Sequence, residues 1–136
     1  LGPGDACDVG GFERAVADWR RIRDTGRTEE IADTLRAAHR WYAGSLLPEL
    51  GPTEWVVPER RRLRIRAADV TGALAEAELL LGRPVEASEA ARRSLELDRS
   101  RDRSWQLLVA AHREAGSTAA AERAQREYER VIRTLG

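Results

Sequence analysis

The sequence predicts an all-α protein built from three antiparallel pairs of helices. Apolar residues recur every three or four positions in six separate segments, which is the pattern of helices that bury one face. Glycine-containing breaks separate these segments, and no segment is predicted to be a strand. Two of these glycines, Gly82 and Gly116, each follow an apolar helix end and lie 34 residues apart.

The spacing of Gly82 and Gly116 equals the period of the tetratricopeptide repeat, in which each repeat is a pair of helices. Trp105, Leu108 and Ala121 stand where that repeat carries its helix-packing Trp, Leu and Ala. We therefore expect the three pairs to stack as a tetratricopeptide-like, right-handed array. Such an array is a scaffold that binds partners along an extended surface.

The composition limits the possible functions. The chain has 136 residues, enough for one domain, with 23 basic and 23 acidic residues and a formal net charge of zero. A free-standing nucleic-acid-binding domain would carry a basic excess, and this chain has none. All basic residues other than histidine are arginine, which together with abundant alanine is typical of actinobacterial, GC-rich codon usage.

Cellular location is constrained by the cysteine count and by the lack of targeting signals. Cys7 is the only cysteine, so no internal disulfide can form, which fits a reducing cytoplasm. No apolar run is long enough to cross a membrane, and no signal peptide is recognised. Methionine is absent even at position 1, so we expect the chain to be part of a longer protein.

The N-terminal third is predicted to contain a linker and the first helix pair. Residues 1–11 hold four glycines and a proline, and are interpreted as a linker from a missing N-terminal domain. The helical domain is expected over residues 12–136. Its first helix runs from Phe12 to Arg23, and its second begins at the N-cap Thr28 and ends at Gly44.

An apolar insertion follows the first pair. Residues 44–58 contain two glycines, three prolines and several large apolar side chains, so they should pack between helix pairs instead of forming a solvated loop. The distance from Gly26 to Gly82 is 56 residues, which is 22 more than one repeat. Trp41 and Trp55 flank the insertion and are expected to hold it in place.

The remaining helices form the second and third pairs. Alanines in the middle of helices four and six should allow close approach to helices three and five. The expected bounds are Pro52 or Pro58 to Leu81 for helix three, Pro84 onwards for helix four and a segment ending at Gly116 for helix five. Helix six is expected to follow a cap at Ser117 or Thr118 and to include Leu135.

No residue pattern indicates catalysis. His39 and His112 are the only histidines, and neither has partners at the spacing of a helical metal site. Cys7 has no paired histidine that would activate a thiol. Neither a nucleophile elbow nor a phosphate-binding loop occurs. The sequence therefore predicts a protein that is not an enzyme and that holds no metal or cofactor.

Two charged surfaces are candidates for binding a partner. The run Pro58–Arg66 contains five arginines, of which Arg60, Arg64 and Arg66 could form a positive patch or could be balanced by neighbouring carboxylates. The other surface is a groove between helices three and five, where the charges could also pair with each other. Its outward positions are Arg103, Gln106, Ala110 and Arg113 on helix five and Asp69, Gly72, Glu76 and Leu79 on helix three.

Two segments carry a family resemblance. Trp41–Leu50, with its Gly-Ser-Leu-Leu-Pro sequence, and Trp55–Leu63, with Trp-Val followed by Pro-Glu-Arg, occur before two tetratricopeptide-like pairs. This order resembles the bacterial transcriptional activator domain of the Streptomyces antibiotic regulatory protein family and its relatives. The resemblance implies transcription activation, with a helical domain that self-associates, as a possible homodimer, and contacts RNA polymerase. It also implies that DNA is bound only through a winged-helix domain that is missing here.

Two other functions are compatible with the residues. One is a tetratricopeptide adaptor that binds a peptide and has no connection with transcription. The other is a sensor module, in which the apolar insertion gates a small-molecule pocket beneath Trp41 and Trp55. A winged helix before Leu1 would distinguish the first of these from the activator.

The balanced charge predicts weak binding to DNA. Affinity for duplex DNA depends on the release of counterions by clustered cations, and nonspecific complexes have Kd values of about 10⁻⁴ to 10⁻⁶ M. We expect residues 1–136 alone to bind duplexes no more tightly than this and without sequence preference, as measured by fluorescence anisotropy at physiological salt. Submicromolar binding that depends on the DNA sequence would contradict the prediction.

Overall fold

The computed structural model describes residues 3–45 and 57–135, with side chains described over 10–42 and 61–135. Within these ranges every regular element is an α helix, which confirms the predicted all-α class. The helices are α1 (Pro3–Ile22), α2 (Thr28–Ser45), α3 (Val57–Leu80), α4 (Pro84–Leu97), α5 (Asp102–Glu114) and α6 (Thr118–Leu135).

The first helix begins earlier than the sequence predicted. Residues 3–11 are the first turns of α1, so the helix begins before the predicted start at Phe12. Gly11 allows close packing, because a Cβ atom on it would lie 2.5 Å from Cε2 of Trp41 on α2. A glycine is therefore needed where α1 and α2 approach each other.

The start of α2 differs from the prediction, and most of the predicted apolar insertion lies outside the described residues. Thr28 is the first residue of α2 and not its N-cap, because the Arg27 carbonyl accepts the first helical hydrogen bond from Ile31 N–H. Of the predicted apolar insertion, residues 44–58, the first two residues belong to α2 and the last two to α3. Residues 46–56, which include Trp55, lie outside the described residues.

Successive helices pack against each other along the chain, and α3 also contacts α5. This order is consistent with the predicted tetratricopeptide-like array. Helix α3 is the most enclosed, because α2, α4 and α5 all pack on it. Small residues permit this close packing, and those buried on α3 are Ala67, Ala68, Gly72, Ala75 and Ala77.

Two helices end in the same hydrogen-bonded turn, at the two glycines that suggested the repeat. Gly82 and Gly116 adopt φ angles of +76° and +81°, which glycine reaches without steric cost. After α3, the Arg83 N–H donates to the Glu78 carbonyl at 2.8 Å; after α5, the Ser117 N–H donates to the His112 carbonyl at 2.8 Å. These are Schellman motifs, and they fix the direction in which the next helix leaves.

A small polar cluster joins α3, α4 and α5 inside the core. The Ser94 hydroxyl donates to the Ala68 carbonyl at 2.8 Å and lies 2.8 Å from the Ser104 hydroxyl. A Cβ atom on Gly72 would come within 3.1 Å of that Ser104 oxygen. Gly72 is thus buried at this junction, and its predicted position in an open groove is wrong. Leu79, predicted to face the same groove, is half-buried and packs against the core.

Aromatic side chains close both ends of the array. Phe12 of α1 and Tyr42 of α2 have ring centroids 5.8 Å apart. At the other end Trp105 stacks on Tyr128, with centroids 5.9 Å apart, and its indole N–H donates to the Arg99 carbonyl at 2.8 Å. The buried tryptophan therefore leaves no unpaired polar atom, which confirms its predicted packing role.

The contact between Gly11 and Trp41 can be tested with a neighbouring glycine as the control. Gly10 and Gly11 both lie within α1, so alanine at either position gains about 1 kcal/mol of helix propensity. A Cβ on Gly10 meets only the end of the Arg14 side chain, at 3.2 Å, whereas one on Gly11 meets the Trp41 ring. We expect Gly11→Ala to be less stable than Gly10→Ala by about 1–3 kcal/mol in urea denaturation, and equal stabilities would contradict the packing.

Candidate protein-interaction surface

Two of the predicted groove charges, Arg103 and Glu76, pair with each other between α3 and α5, whereas Asp69 pairs with an arginine just before α5. The Arg103 guanidinium lies 3.3 Å from the Glu76 carboxylate, and Arg101 forms an ion pair with Asp69. Both members of the first pair are largely exposed, at 61% and 50% of their side chains. Pairing of this kind is the alternative that the sequence left open for these charges.

The outward stripe predicted on α5 is present. Arg103, Gln106, Ala110 and Arg113 are all exposed, while Trp105 between them is buried. Gln106 lies beside the Tyr128 hydroxyl, whose pKa is raised by partial burial and by the nearby Asp102 carboxylate. Arg113 has no ion-pair partner among the residues described.

The arginines at the start of α3 differ in their surroundings. Arg62 and Arg66 both reach Glu13 of α1, with a distance of 3.1 Å from the Arg62 guanidinium to the carboxylate. Arg64 is exposed and forms no ion pair with any described side chain. The side chain of Arg60 lies outside the described residues. The structure therefore does not bring Arg64 and Arg66 together as one patch.

These pairs lie along one side of the array, which we call the α1–α3–α5 face. Each carboxylate on it is matched by an arginine of a neighbouring element, so the face carries alternating charge. Beyond those pairs it presents Gln106 and Arg113, which are both exposed. The paired members are Glu13 with Arg62 and Arg66, Asp69 with Arg101, and Glu76 with Arg103.

A buried carboxylate that the sequence analysis missed connects the first two helix pairs. Glu78 of α3 is 4% exposed and accepts two hydrogen bonds from Arg36 of α2, at 2.9 and 3.1 Å. Arg83, in the turn after α3, lies 3.4 Å from the same carboxylate and 3.1 Å from Glu29. The hydrogen bond to Glu78 raises the pKa of the Arg36 guanidinium.

The only sign of this network in the sequence is a charged residue between apolar ones. Glu78 lies between Ala77 and Leu79 at a position that helical periodicity assigns to the core. A buried glutamate requires a cationic partner, but nothing in the sequence identifies Arg36 among the other arginines. Because the two residues are 42 positions apart, only the fold brings them together.

A second feature that the sequence analysis missed is a basic cleft between α4 and α6. It has a volume of about 360 Å³ and contains four arginines around a small apolar floor. Arg92 and Arg126 are 34 residues apart and so occupy equivalent positions in successive pairs, a regularity visible in the sequence. We call it the arginine cleft; its lining is Arg92, Leu108, Ala120, Arg123, Ala124, Arg126, Glu127 and Arg130.

Both histidines have a lowered pKa, caused first by burial. For His39 a secondary cause is Arg93, and its buried Nδ1 has no hydrogen-bond partner among the described residues. For His112 the secondary causes are Arg92 and Arg123, which line the arginine cleft. Across residues 3–45 and 57–135 no three His, Cys, Asp or Glu side chains are grouped as a metal site would require. In the same part of the chain no helix is apolar and long enough to span a membrane.

Comparison with known proteins identifies the helical array. The family model described as bacterial transcriptional activator domain matches residues 7–136, nearly the whole chain. The chain belongs to this family. The expected resemblance is thereby confirmed, and the match starts within α1, in agreement with a domain that includes this helix. Searches among curated proteins and among solved structures gave no match.

Membership in the bacterial transcriptional activator domain family gives the protein a regulatory role related to transcription activation. This family is not a known enzyme family. The family match covers both the α1–α3–α5 face and the arginine cleft, so both surfaces belong to the activator domain itself.

The Glu78 network should be a major contribution to the stability of the activator domain. Glu78→Gln removes a buried charge and leaves Arg36 and Arg83 without the carboxylate that they share. Because both arginines are partly exposed and can still be hydrated, we expect the free energy of unfolding to fall by about 3 kcal/mol. Glu76→Gln, two residues away on the same helix, breaks only an exposed pair and should cost no more than about 1 kcal/mol. Guanidinium denaturation of both variants measures the difference, and similar losses would show that Glu78 is no special link.

Proposed function

We propose that this chain is the protein-interaction and self-association domain of a bacterial transcriptional activator, and that it contacts RNA polymerase. The observation that carries the proposal is the family match over residues 7–136 on an array of helix pairs. A stacked helical array offers a long, rigid surface, which suits a scaffold that joins proteins. DNA binding would be supplied by a winged-helix domain outside these residues.

The α1–α3–α5 face is the proposed site of polymerase contact. Exposed ion pairs contribute only about 0–1 kcal/mol each, so a partner's carboxylate can replace Glu76 beside Arg103 at little cost. Arg113 has no ion pair with any side chain in the described part of the chain that a partner would have to replace. Arg103, Gln106 and Arg113 are therefore the contacts that we propose on α5, with Asp69 and Glu76 on the opposite wall.

The arginine run at the start of α3 is the alternative contact region. Of its three candidate residues, Arg66 is engaged by Glu13, whereas Arg64 is exposed and forms no ion pair with a described side chain. Arg64, together with Arg60, is thus the part of this run that we propose as available to a partner.

Exposed apolar side chains support the proposed self-association. Ile132 and Leu135 in the last turns of α6 are 45% and 65% exposed, and both continue the side of the helix that carries Tyr128. Exposed large aliphatic residues at one end of a helical array are suited to contact with a second copy. A homodimer through this end leaves the α1–α3–α5 face open.

Charge reversal tests the proposed polymerase contact. In Arg103→Glu/Arg113→Glu, the loss of two cations and the gain of two anions should reduce capture of purified RNA polymerase at least about tenfold, an effect of about 1.4 kcal/mol. The matched control is Arg21→Glu/Arg40→Glu, which makes the same change of charge at two exposed residues of the first helix pair. Circular dichroism confirms that each variant is folded.

Undiminished polymerase capture by folded Arg103→Glu/Arg113→Glu protein would exclude α5 as the contact. Reversal of Arg60, Arg64 and Arg66 would then test the arginine run. If neither set of variants reduces capture and the unmodified domain captures no polymerase above background, the proposed polymerase contact is wrong.

A further inference from the structure

We propose that the arginine cleft between α4 and α6 binds a short acidic segment of a partner protein, whose carboxylates pair with Arg92, Arg123 and Arg130. This surface is separate from the α1–α3–α5 face, and its proposed ligand does not depend on contact with polymerase. The cleft combines unpaired positive charge, a concave shape and an apolar floor, which are considered in turn below.

The cations of the cleft are not neutralised within the described part of the chain. None of its four arginines has a carboxylate within 4.0 Å among these residues, although carboxylates pair with arginines at many other places in the molecule. Glu127 is the one acid in the lining, and it lies 3.7 Å from Arg99. The formal net charge of the chain is zero, so this local excess reflects placement and not composition.

The pKa of His112 is affected by the cations of the arginine cleft. Its pKa is lowered first by burial and then by the charges of Arg92 and Arg123, both of which line the cleft. Repulsion between neighbouring cations is relieved when an anion binds among them. An anionic occupant would therefore stabilise the cleft and raise the pKa of His112.

The shape of the cleft fits a peptide. Arg123 and Arg130 are seven residues apart on α6, so their Cα atoms are separated by about 10 Å along the helix. Alternate side chains of an extended segment lie on one face, so two carboxylates four residues apart, at about 3.3 Å per residue, are about 13 Å apart and point the same way. The long arginine side chains can reach both. The floor of the cleft is Leu108, Ala120 and Ala124, which offers apolar contact to a side chain midway between the acids.

Arginine is well suited to this role. A guanidinium binds a carboxylate with two parallel hydrogen bonds, which give geometric specificity as well as charge attraction. Duplex DNA is a poorer occupant, because its rigid phosphate backbone cannot place apolar atoms on the floor of a cleft of about 360 Å³. The acidic segment that we propose therefore has an aliphatic residue with an aspartate or glutamate two residues before it and another two residues after it, an arrangement that repeated Glu-Leu-Glu contains.

Binding of a synthetic peptide tests the proposal. The probe is a fluorescein-labelled peptide of repeated Glu-Leu-Glu sequence, and its control replaces every glutamate with glutamine. We expect anisotropy to show saturable binding of the acidic peptide to the intact domain. The glutamine peptide should bind at least about tenfold more weakly, and high salt should weaken binding of the acidic peptide by a similar factor.

Matched variants locate the binding site. Arg123→Glu/Arg130→Glu should reduce affinity for the acidic peptide at least about tenfold, whereas Arg21→Glu/Arg40→Glu, with the same change of net charge, should leave it within about twofold. Equal losses in both variants would show nonspecific attraction and overturn the proposal. Circular dichroism identifies any loss that is due to unfolding, and Arg92→Gln, on a different helix, then gives a milder test of the same cleft.

NMR titration of the two histidines provides a readout that does not depend on affinity. Saturation with the acidic peptide should raise the pKa of His112 and leave that of His39 unchanged, because His39 is affected by Arg93 and not by residues lining the cleft. Equal changes in the pKa values of His112 and His39, or no change in either, would overturn the proposed site. If inorganic pyrophosphate raises the pKa of His112 and the saturating peptide does not, the cleft binds a phosphate ligand and the proposal is wrong.

Discussion

The close packing of α3 by three other helices is the constraint on which the rest of the structure depends. Helices α2, α4 and α5 all contact it, so most of its circumference is buried. Interhelical distance is set by the side chains at the contact, and a helix with so many neighbours can have few large ones. Ala67, Ala68 and Ala75 meet this need, and Gly72 meets it most fully because Ser104 occupies the space that a Cβ would take.

The packing of neighbouring helices around α3 also determines which partners its polar groups have. Those that are buried must find partners from neighbouring helices, because an unpaired buried charge would cost several kcal/mol. Glu78 therefore takes Arg36 from α2, and the Ala68 carbonyl accepts the Ser94 hydroxyl from α4. From Ala67 to Leu80 one stripe of α3 remains open to solvent, and its carboxylates pair with arginines at the start of α5: Asp69 with the N-cap Arg101, and Glu76 with Arg103. Packing thus decides where charge remains on the surface.

The sequence predicted the features of this fold that are periodic or local. Six apolar stripes gave six helices, and Gly82 and Gly116 marked two helix ends because a left-handed turn there requires glycine. Features that depend on distant neighbours could not be predicted. Gly11 was predicted to belong to a linker, because its contact with Trp41 exists only in the folded protein. Similarly, nothing in the sequence around Glu78 indicates that Arg36 is its partner. Of the candidate site, the exposed stripe on α5 could be predicted, whereas the pairing of Arg103 with Glu76 of α3 was one of two alternatives that remained open.

The distribution of arginines shows why neutral composition does not imply a neutral surface. Many carboxylates are used in ion pairs that join neighbouring helices, as in the pairs of Glu13, Asp69 and Glu76 on the α1–α3–α5 face. In contrast, Arg92 of α4 and Arg123, Arg126 and Arg130 of α6 have no carboxylate within 4.0 Å among the described residues, although both helices carry glutamates. The exposed pairs add little stability, and the arginines that lack such a pair lie together in the arginine cleft. A chain with zero net charge can in this way carry one alternating surface and one positive surface, which select different partners.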